Sequence, residues 1–513
     1  CNILWVDDEV DSLKSHILFL KEKGFKVDTV TNGYDAINRI KEYYYDIIFL
    51  DENMPGLSGL DTLSQLKEIT NSPVIMITKS EQEHIMEDAI GAKISDYLIK
   101  PVNPNQILLA IKKNLEFTKL VNYKTNSDYQ KEFLSIGTML NEVNSYSNWI
   151  NLYKKIVYWE LALDSLEENS MLEILLNQKK EANIQFFKYI KKNYTQLIQN
   201  QIQHDVIFSN NIFEKFVIPE ISNKKPVFFL LIDNLRFDQW KVIEPILAPY
   251  FSVKDDTYCS ILPTATQYSR NALFSGMMPS EIKMKFPELW LDDSDEGGKN
   301  LHEKELLIDQ LKRFSSFEDI TFNKVFNLDH GKKVLDKLNE FLKKPLNVIV
   351  YNFVDILSHA KTEMRMIKEL TNDEKSYRDL TLTWFKNSPL FDLLKHLSSI
   401  DCTIIITSDH GTINVNEPSK VIGEKTISTN LRYKTGRKIK FDNRDVFHVD
   451  DPADILLPKS NLSDSYIFAS PNKYFVYPNN YNHYAHHYIN TYQHGGISME
   501  EMILPVITLK NKI

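Results

Sequence analysis

Short apolar runs alternate with amphipathic stretches over the first hundred residues. Strand-like runs lie at Ile3–Val6, Lys26–Val30, Asp46–Leu50, Val74–Ile77 and Asp96–Ile99, with helix-like stretches such as Glu9–Lys23 and Ala36–Tyr45 between them. Five such βα repeats predict a parallel, doubly wound sheet. From Asn105 to Ile218 there is no Pro, and Gly137 is the only Gly. A stretch so poor in breakers reads as helical. Trp149, Leu152, Tyr153 and Ile156 recur there at helical spacing, the pattern of a small helical bundle or spacer. Beyond Pro219, Pro returns and continuous apolar runs appear: Pro226–Ile232, Asn347–Tyr351, Thr403–Thr407 and Ile503–Leu509. Uninterrupted runs suit strands covered on both faces. The expected division is 1–118, 119–220 and 221–513, in an α/β chain with a helical middle.

A length of 513 residues agrees with that division at roughly 150 residues per domain. Sixty Lys+Arg against 69 Asp+Glu give a net charge of -9, which argues against a generic nucleoid-coating protein. With 43% hydrophobic and 25% charged residues, disorder on the whole-chain scale is excluded. No apolar run approaches the ~18 residues of a spanning helix, so no membrane insertion is expected. The strand-like run Asn2–Val6 leaves no visible signal peptide. Cys1 stands where Met is usual, so a residue or two is expected ahead of it. Three cysteines far apart (Cys1, Cys259, Cys402) exclude a disulfide framework and a Cys-based zinc site, and point to the cytoplasm.

The unusual residues sit at strand ends, where ligands of doubly wound sheets bind. Strand one ends in Asp7-Asp8-Glu9, strand three in Asp51 followed by Glu52-Asn53-Met54-Pro55-Gly56, strand four in Thr78, and strand five in Lys100-Pro101. Carboxylates crowded into one pocket repel each other unless a cation is present. Mg²⁺ suits such a set, taking one or two carboxylates and keeping waters. Asp51 is then a plausible phosphoryl acceptor, Thr78 a hydroxyl donor, and Lys100 a compensating charge.

Taken singly these residues are caps and surface groups. Together they resemble the receiver domain of two-component response regulators over about residues 2–118. The resemblance implies Asp7 and Asp8 as the acidic pair, with Asp8 a direct Mg²⁺ ligand. It implies Asp51 as phosphorylation site and second ligand, with Asn53 lending its backbone carbonyl. Thr78, Tyr97 and Lys100 match the switch positions, and the Lys100-Pro101 bond is expected to be cis. A cognate histidine kinase and a homodimer formed on phosphorylation are the implied partners.

The later strands carry a second constellation. Apolar runs lead into Asp233, into Asp355 with His359 four residues on, and into Asp409-His410-Gly411, and His494-Gly495-Gly496 precedes the last run. Asp oxygen and imidazole nitrogen form a ligand set for Zn²⁺ or Mn²⁺. The spacing of four puts Asp355 and His359 on one helix face. The number of ligands favours two ions, one to activate a nucleophile and one to hold substrate oxygen. Between the first two strands lies Leu262-Pro263-Thr264-Ala265-Thr266-Gln267-Tyr268, where either threonine hydroxyl offers a nucleophile for phosphorus.

The order Asp, Thr, Asp-x-x-x-His, Asp-His, His resembles the alkaline phosphatase superfamily over about 225–513. The resemblance implies one Zn²⁺ on Asp233, Thr266, Asp409 and His410, and the other on Asp355, His359 and His494. It places the nucleophile on Thr266, with Thr264 the alternative. Receiver, helical middle and this domain together resemble PorX-type response regulators with a PglZ domain, a family associated with control of type IX secretion.

Other polar residues carry less. His483, His486 and His487 read as a surface loop near the site, and His302 and His330 as structural. The segment Lys420–Arg444 holds Lys420, Lys425, Arg432, Lys434, Arg437, Lys438, Lys440 and Arg444 against Glu424 and Asp442. It reads as a solvated loop or, more sharply, as a phosphate-tracking lip, with Tyr433 placed to stack on a base. The leading expectation is therefore a zinc-dependent phosphodiesterase acting on a nucleotide or oligonucleotide, controlled by phosphorylation of Asp51. The rival is a non-catalytic metal-bound scaffold for a sigma factor or secretion component. A DNA-binding regulator is disfavoured by the acidic charge and the lack of a recognisable helix-turn-helix. A sulfatase is disfavoured because Thr cannot become formylglycine.

Overall fold

A computed structural model of the chain describes residues 2–512, apart from 71, 80–93, 167–169, 222–224, 294, 315–318, 372, 424–427, 429 and 462. Lys425 and Glu424 of the basic segment therefore lie outside the described residues. The chain divides into two units, Cys1–Asp128 and Tyr129–Ile513. The helix Pro104–Glu142 crosses that division.

The smaller unit is built on β1 (Asn2–Val6), β2 (Lys26–Val30), β3 (Ile47–Asp51), β4 (Val74–Thr78) and β5 (Asp96–Ile99), in the order β2-β1-β3-β4-β5. Every pairing is parallel. Alternation along the strands feeds two cores. Ile3, Trp5, Phe49, Ile75 and Ile77 face one side, and Leu4, Val6, Ile48, Leu50 and Val74 the other. The Lys100-Pro101 bond is cis, as the resemblance implied.

Helix ends differ from the periodicity in ways that caps explain. The first helical stretch is a 3₁₀ turn, Val10–Leu13, followed by the helix Lys14–Glu22. The second helix runs over Gly33–Glu42, because the Asn32 side chain accepts the Asp35 amide and starts it early. It stops before Tyr45, which is buried with its hydroxyl donating to Asp28 at 2.7 Å.

The larger unit holds a six-stranded sheet: β6 (Val227–Ile232), β7 (Phe251–Cys259), β8 (Ile320–Val325), β9 (Leu346–Tyr351), β10 (Thr403–Thr407) and β11 (Ile503–Asn511). Its order is β7-β11-β10-β6-β9-β8. β10, β6, β9 and β8 are mutually parallel, whereas β11 runs antiparallel to both neighbours, so the sheet is mixed. The apolar strands β6, β9 and β10 are buried along their whole length, as uninterrupted hydrophobic runs require.

The helical middle is present, and it packs against the sheet. Helices Tyr146–Asp164 and Ser170–Ile198 belong to the same compact unit as the sheet. Their buried Tyr146, Trp149, Phe186 and Tyr194 share one core with Leu262, Tyr268, Met502 and Ile503. The helical repeat that marks a bundle in sequence is the same repeat that packs against the ends of sheet strands; only the partner differs.

Candidate metal centre and acceptor pocket

The acidic residues of the larger unit follow buried strands. Asp233 leaves the end of β6. Asp355 and His359 stand one turn apart on the helix Phe353–Glu363 after β9, and Asp409 and His410 follow β10. Two clusters bring ligand atoms within 4.8 Å of one another: Asp355, His359 and His494, and Asp233, Asp355 and His410. Asp355 belongs to both. The first cluster matches the grouping expected from the sequence.

The second cluster differs from the expected set at Asp409. The Asp409 carboxylate lies in neither cluster. Its Oδ2 accepts from Arg270 Nε at 2.8 Å, and the same guanidinium contacts Asp233 Oδ2. Asn234, in the left-handed region at φ 66°, knits the acids together. Its side chain donates to Asp355 Oδ1 at 3.3 Å and to Ser358 at 3.1 Å, and its amide approaches Asp409 Oδ1 at 3.4 Å. Neither Asn234 nor Arg270 was singled out from the sequence. Their signals were present: an Asn directly after a strand-end Asp, where αL backbone favours it, and an Arg one helical turn beyond Thr266.

The histidines offer lone pairs. His494 Nδ1 pairs with the Thr264 carbonyl at 3.1 Å and His410 Nδ1 with the Gly411 carbonyl at 3.2 Å, which turns both Nε2 atoms inward. The two rings stack at 4.1 Å between centroids. Burial, then the neighbouring His410, pushes His494 down to about 3, so it is a neutral imidazole at pH 7.

The carboxylates crowd one another. Burial pushes Asp233 well above the usual carboxylate range, against the pull of Arg270 and with the push of Asp409 and Asp355. Asp409 is also disfavoured by burial, but Arg270 and His410 outweigh this and hold it at about 2. Asp233 Oδ1 is buried without a hydrogen-bond partner. Asp233 and Asp409 thus share one guanidinium with Asp355 close by, an orphaned oxygen is buried among them, and the neutral His494 imidazole lies beside the group. That donor set fits divalent Zn²⁺.

The two threonines differ. Thr264 is fully buried, donating to the Gly496 carbonyl at 2.9 Å and accepting the Gly495 amide at 3.0 Å. Thr266 opens the helix Thr266–Ser275 and is partly exposed, with Oγ1 3.0 Å from His410 Nε2. A cavity of about 480 Å³ adjoins His359 and His494 and is lined also by Lys299, Asn430, Tyr433 and His487.

The basic segment is not a uniform lip. Arg432 is buried and paired with Glu501 at 2.7 Å. Lys434 is buried against the Ser428 carbonyl, and burial pushes it down to about 7. Tyr433 lines the cavity but is fixed, donating to Asp293 at 3.1 Å. The sequence cannot separate a basic loop from basic residues that turn inward. His483, His486 and His487 lie on an exposed helix, Tyr481–Tyr488, rather than a loop, and His487 reaches the cavity.

In the smaller unit, Asp7, Asp8 and Asp51 bring carboxylate oxygens within 4.8 Å of one another. Lys100 Nζ lies 2.8 Å from Asp7 and 3.1 Å from Asp51. Burial raises Asp51, Lys100 lowers it, and Asp7 and Asp8 raise it further, for a net upward shift. Asp51 Oδ1 is buried without a partner, which fits Mg²⁺. Thr78 is buried at the end of β4, Asn53 is exposed, and Tyr97 is half-buried on β5.

Comparison with known proteins follows the same division. Residues 212–509 match the family model of the BREX system PglZ alkaline phosphatase-like domain. Residues 119–198 match the PorX response regulator linker domain, and residues 3–112 the response regulator receiver domain. The transcriptional regulatory protein ResD of Bacillus subtilis (strain 168) is 32% identical over 121 residues, 24% of this chain and 50% of that protein. A CpxR homolog from Haemophilus influenzae is 31% identical over 112 residues, 21% of this chain and 48% of that protein. The chain therefore spans about half the length of these curated relatives. A solved two-component response regulator from Clostridium difficile is 29% identical, with a TM-score of 0.22, covering 22% of this chain and 95% of its own. Among the described residues, no helix is long and apolar enough to cross a membrane.

Proposed function

The chain belongs to the family of the PglZ alkaline phosphatase-like domain, in the three-part arrangement of a PorX-type response regulator, and from that premise we propose a phosphorylation-controlled, zinc-dependent phosphodiesterase. The observation that carries the reading is Thr266 Oγ1 at 3.0 Å from His410 Nε2, beside two ligand clusters joined through Asp355.

In this reading Asp355, His359 and His494 would hold one Zn²⁺, and Asp233 and His410 would hold the other beside Thr266 and Asp409. When bound, the ions supply Lewis acidity at the Thr266 hydroxyl and at the phosphoryl oxygens. Thr266 attacks phosphorus, its hydroxyl proton passes to solvent, and the ester oxygen leaves with a proton from water. Water then cleaves the threonyl phosphodiester so formed, releasing a phosphomonoester and restoring the Thr266 hydroxyl. Arg270 keeps Asp233 and Asp409 from repelling each other, and the helix that Thr266 opens directs its amide end towards incoming anionic charge. The three aspartates and one guanidinium leave an excess of two negative charges. Two divalent ions turn that into an excess of two positive charges, the complement of a dianionic transition state on a diester.

The cavity of about 480 Å³ beside the centre suits a nucleotide or oligonucleotide. In the smaller unit a cognate histidine kinase would supply phosphate to Asp51, with Mg²⁺ on Asp7, Asp8 and Asp51 and on the Asn53 carbonyl. Thr78, Tyr97 and Lys100 would relay the change, and a homodimer would form. A cytoplasmic regulator of type IX secretion is the setting proposed. The test is hydrolysis of bis-p-nitrophenyl phosphate by the zinc-loaded full chain beside Thr266→Ala. Turnover by the parent and none by the variant is the expected result. No turnover by either would leave the metal-bound scaffold for a sigma factor or secretion component as the better account.

A further inference from the structure

Where the helical middle meets the sheet domain, a cavity of about 530 Å³ is lined by four buried charges, Glu160, Lys179, Arg378 and Glu500. Lys179 Nζ lies 2.8 Å from Glu160 Oε2 and 3.2 Å from Glu500 Oε1. Glu160 Oε1 accepts from Arg378 at 2.8 Å. Arg378 also donates to Asp238 Oδ2 at 3.0 Å and contacts Asp164. Asp238 in turn takes a bidentate grip on Arg236, at 2.9 and 2.6 Å. Five helices contribute: Tyr146–Asp164, Ser170–Ile198, Phe237–Leu247, Glu374–Lys386 and Met499–Met502.

Both ends of this chain of charges touch the turns that carry the metal centre. At one end, Arg236 closes the turn that begins with Asp233 and Asn234. At the other, the main chain at Glu500 presses on the residue after His410. A Cβ on Gly411 would lie 2.0 Å from the Glu500 carbonyl oxygen, and the Gly411 amide donates to the Glu501 carbonyl at 3.2 Å. Asn183, one turn beyond Lys179, holds Glu500 from the side. Its amide donates to both carboxylate oxygens, at 3.0 and 3.3 Å, and its carbonyl accepts the Met499 amide at 2.8 Å.

Stability alone is a poor account of so costly an arrangement, because a buried ion network is often no more stabilising than apolar packing of the same shape. What it specifies is geometry. We infer that Lys179 is a positioning residue of the metal centre. Through Glu500, and through Glu160, Arg378, Asp238 and Arg236, it fixes the turn carrying Asp233 against the turn carrying Asp409 and His410. The inference rests on the reading of Asp233 and His410 as zinc ligands. It gives the helical middle a share in the reaction, since Glu160, Lys179 and Asn183 all belong to it. Without the Lys179 charge, Glu160 and Glu500 face each other with less compensation and the two turns lose their common anchor.

The test uses the full chain and three variants: Lys179→Met, Lys179→Arg and Glu500→Gln. Zinc dissociation constants come from chelator competition, and kcat and KM from the diester assay, all at a temperature well below each variant's melting transition. In Lys179→Met, zinc binding is expected to weaken about tenfold and kcat to fall about tenfold, with KM within about twofold, the lower end of what lost outer-shell support costs. Lys179→Arg, which keeps the charge, is expected to recover most of both. Glu500→Gln keeps its shape and one of its two acceptors for Asn183, and carries the same expectation should Lys179→Met fail to fold. A folded Lys179→Met or Glu500→Gln with parental zinc affinity and kcat, and only a lower melting temperature, overturns the inference. A parent chain that binds no zinc overturns both this inference and the metal-centre reading beneath it.

Discussion

Thr264 and Thr266 stand two residues apart and have opposite surroundings. The first spends its hydroxyl on the backbone at Gly495 and Gly496; the second faces His410. Thr266→Ala is expected to lower kcat by about 10³-fold or more at unchanged fold. Thr264→Val is expected to cost stability, about 1–3 kcal/mol for the polar groups left unpaired, read as a lower midpoint in urea. Sequence motif alone leaves the two open, because the choice depends on which hydroxyl the backbone consumes. Glu52 poses a second question at this scale. Burial, only partly offset by a backbone hydrogen bond from Leu60, pushes its carboxyl up from 4.5 to about 7. Between those values the folded unit holds a proton that the unfolded chain has released, so stability falls as pH rises through that window. The melting temperature of the smaller unit is expected to drop between pH 5 and pH 8, and Glu52→Gln to remove much of the drop. Scanning calorimetry at the two pH values checks it.

At the scale of elements, chemistry at strand ends and on the helix turn after a strand was legible, and charge buried between helices was not. Asp51, Asp233 and Asp409 follow continuous apolar runs, and such runs announce a covered strand whose end is a ligand position. Asp355 and His359 were legible from their spacing on one helix face. Glu160, Lys179 and Asp238 sit in amphipathic helices, where a charge usually means solvent, and nothing in the periodicity says that another helix covers them. Their burial has a measurable signature. Burial disfavours charge on Asp238, but Arg236 and Arg378 outweigh it and hold the carboxyl well below its ordinary 3.8. Lys179 and Arg378 likewise outweigh burial at Glu160 and lower it. A depressed carboxyl contributes stability that is complete above its unfolded pKa and lost as pH falls through the folded one. The urea midpoint of the larger unit is expected to fall steeply below about pH 4. Asp238→Asn is expected to cost about 3–5 kcal/mol at pH 7, as breaking a buried pair does, and to blunt the acid dependence.

At the scale of the whole molecule, two units with two kinds of ion pocket predict separable responses. Zn²⁺ at a hundredfold excess over its dissociation constant adds about 2.7 kcal/mol per site, so it is expected to raise the melting transition of the larger unit and leave the smaller one in place. Mg²⁺ is expected to do the reverse, and 1,10-phenanthroline to undo only the zinc effect. Calorimetry with each ion in turn distinguishes them. The order of the sheet has another consequence, concerning how the protein is made. Strand β11 lies between β7 and β10, and its first residue belongs to the core that also contains Trp149 and Phe186. Those helices leave the ribosome long before β11 is translated, about 15–60 s earlier at the usual ~5–20 residues per second. Throughout that interval their aromatic face lacks part of its cover, and once β10 is made it too waits with an open edge. The nascent larger unit is therefore a natural client for a holding chaperone, and fragments that stop short of β11 belong in inclusion bodies rather than in solution.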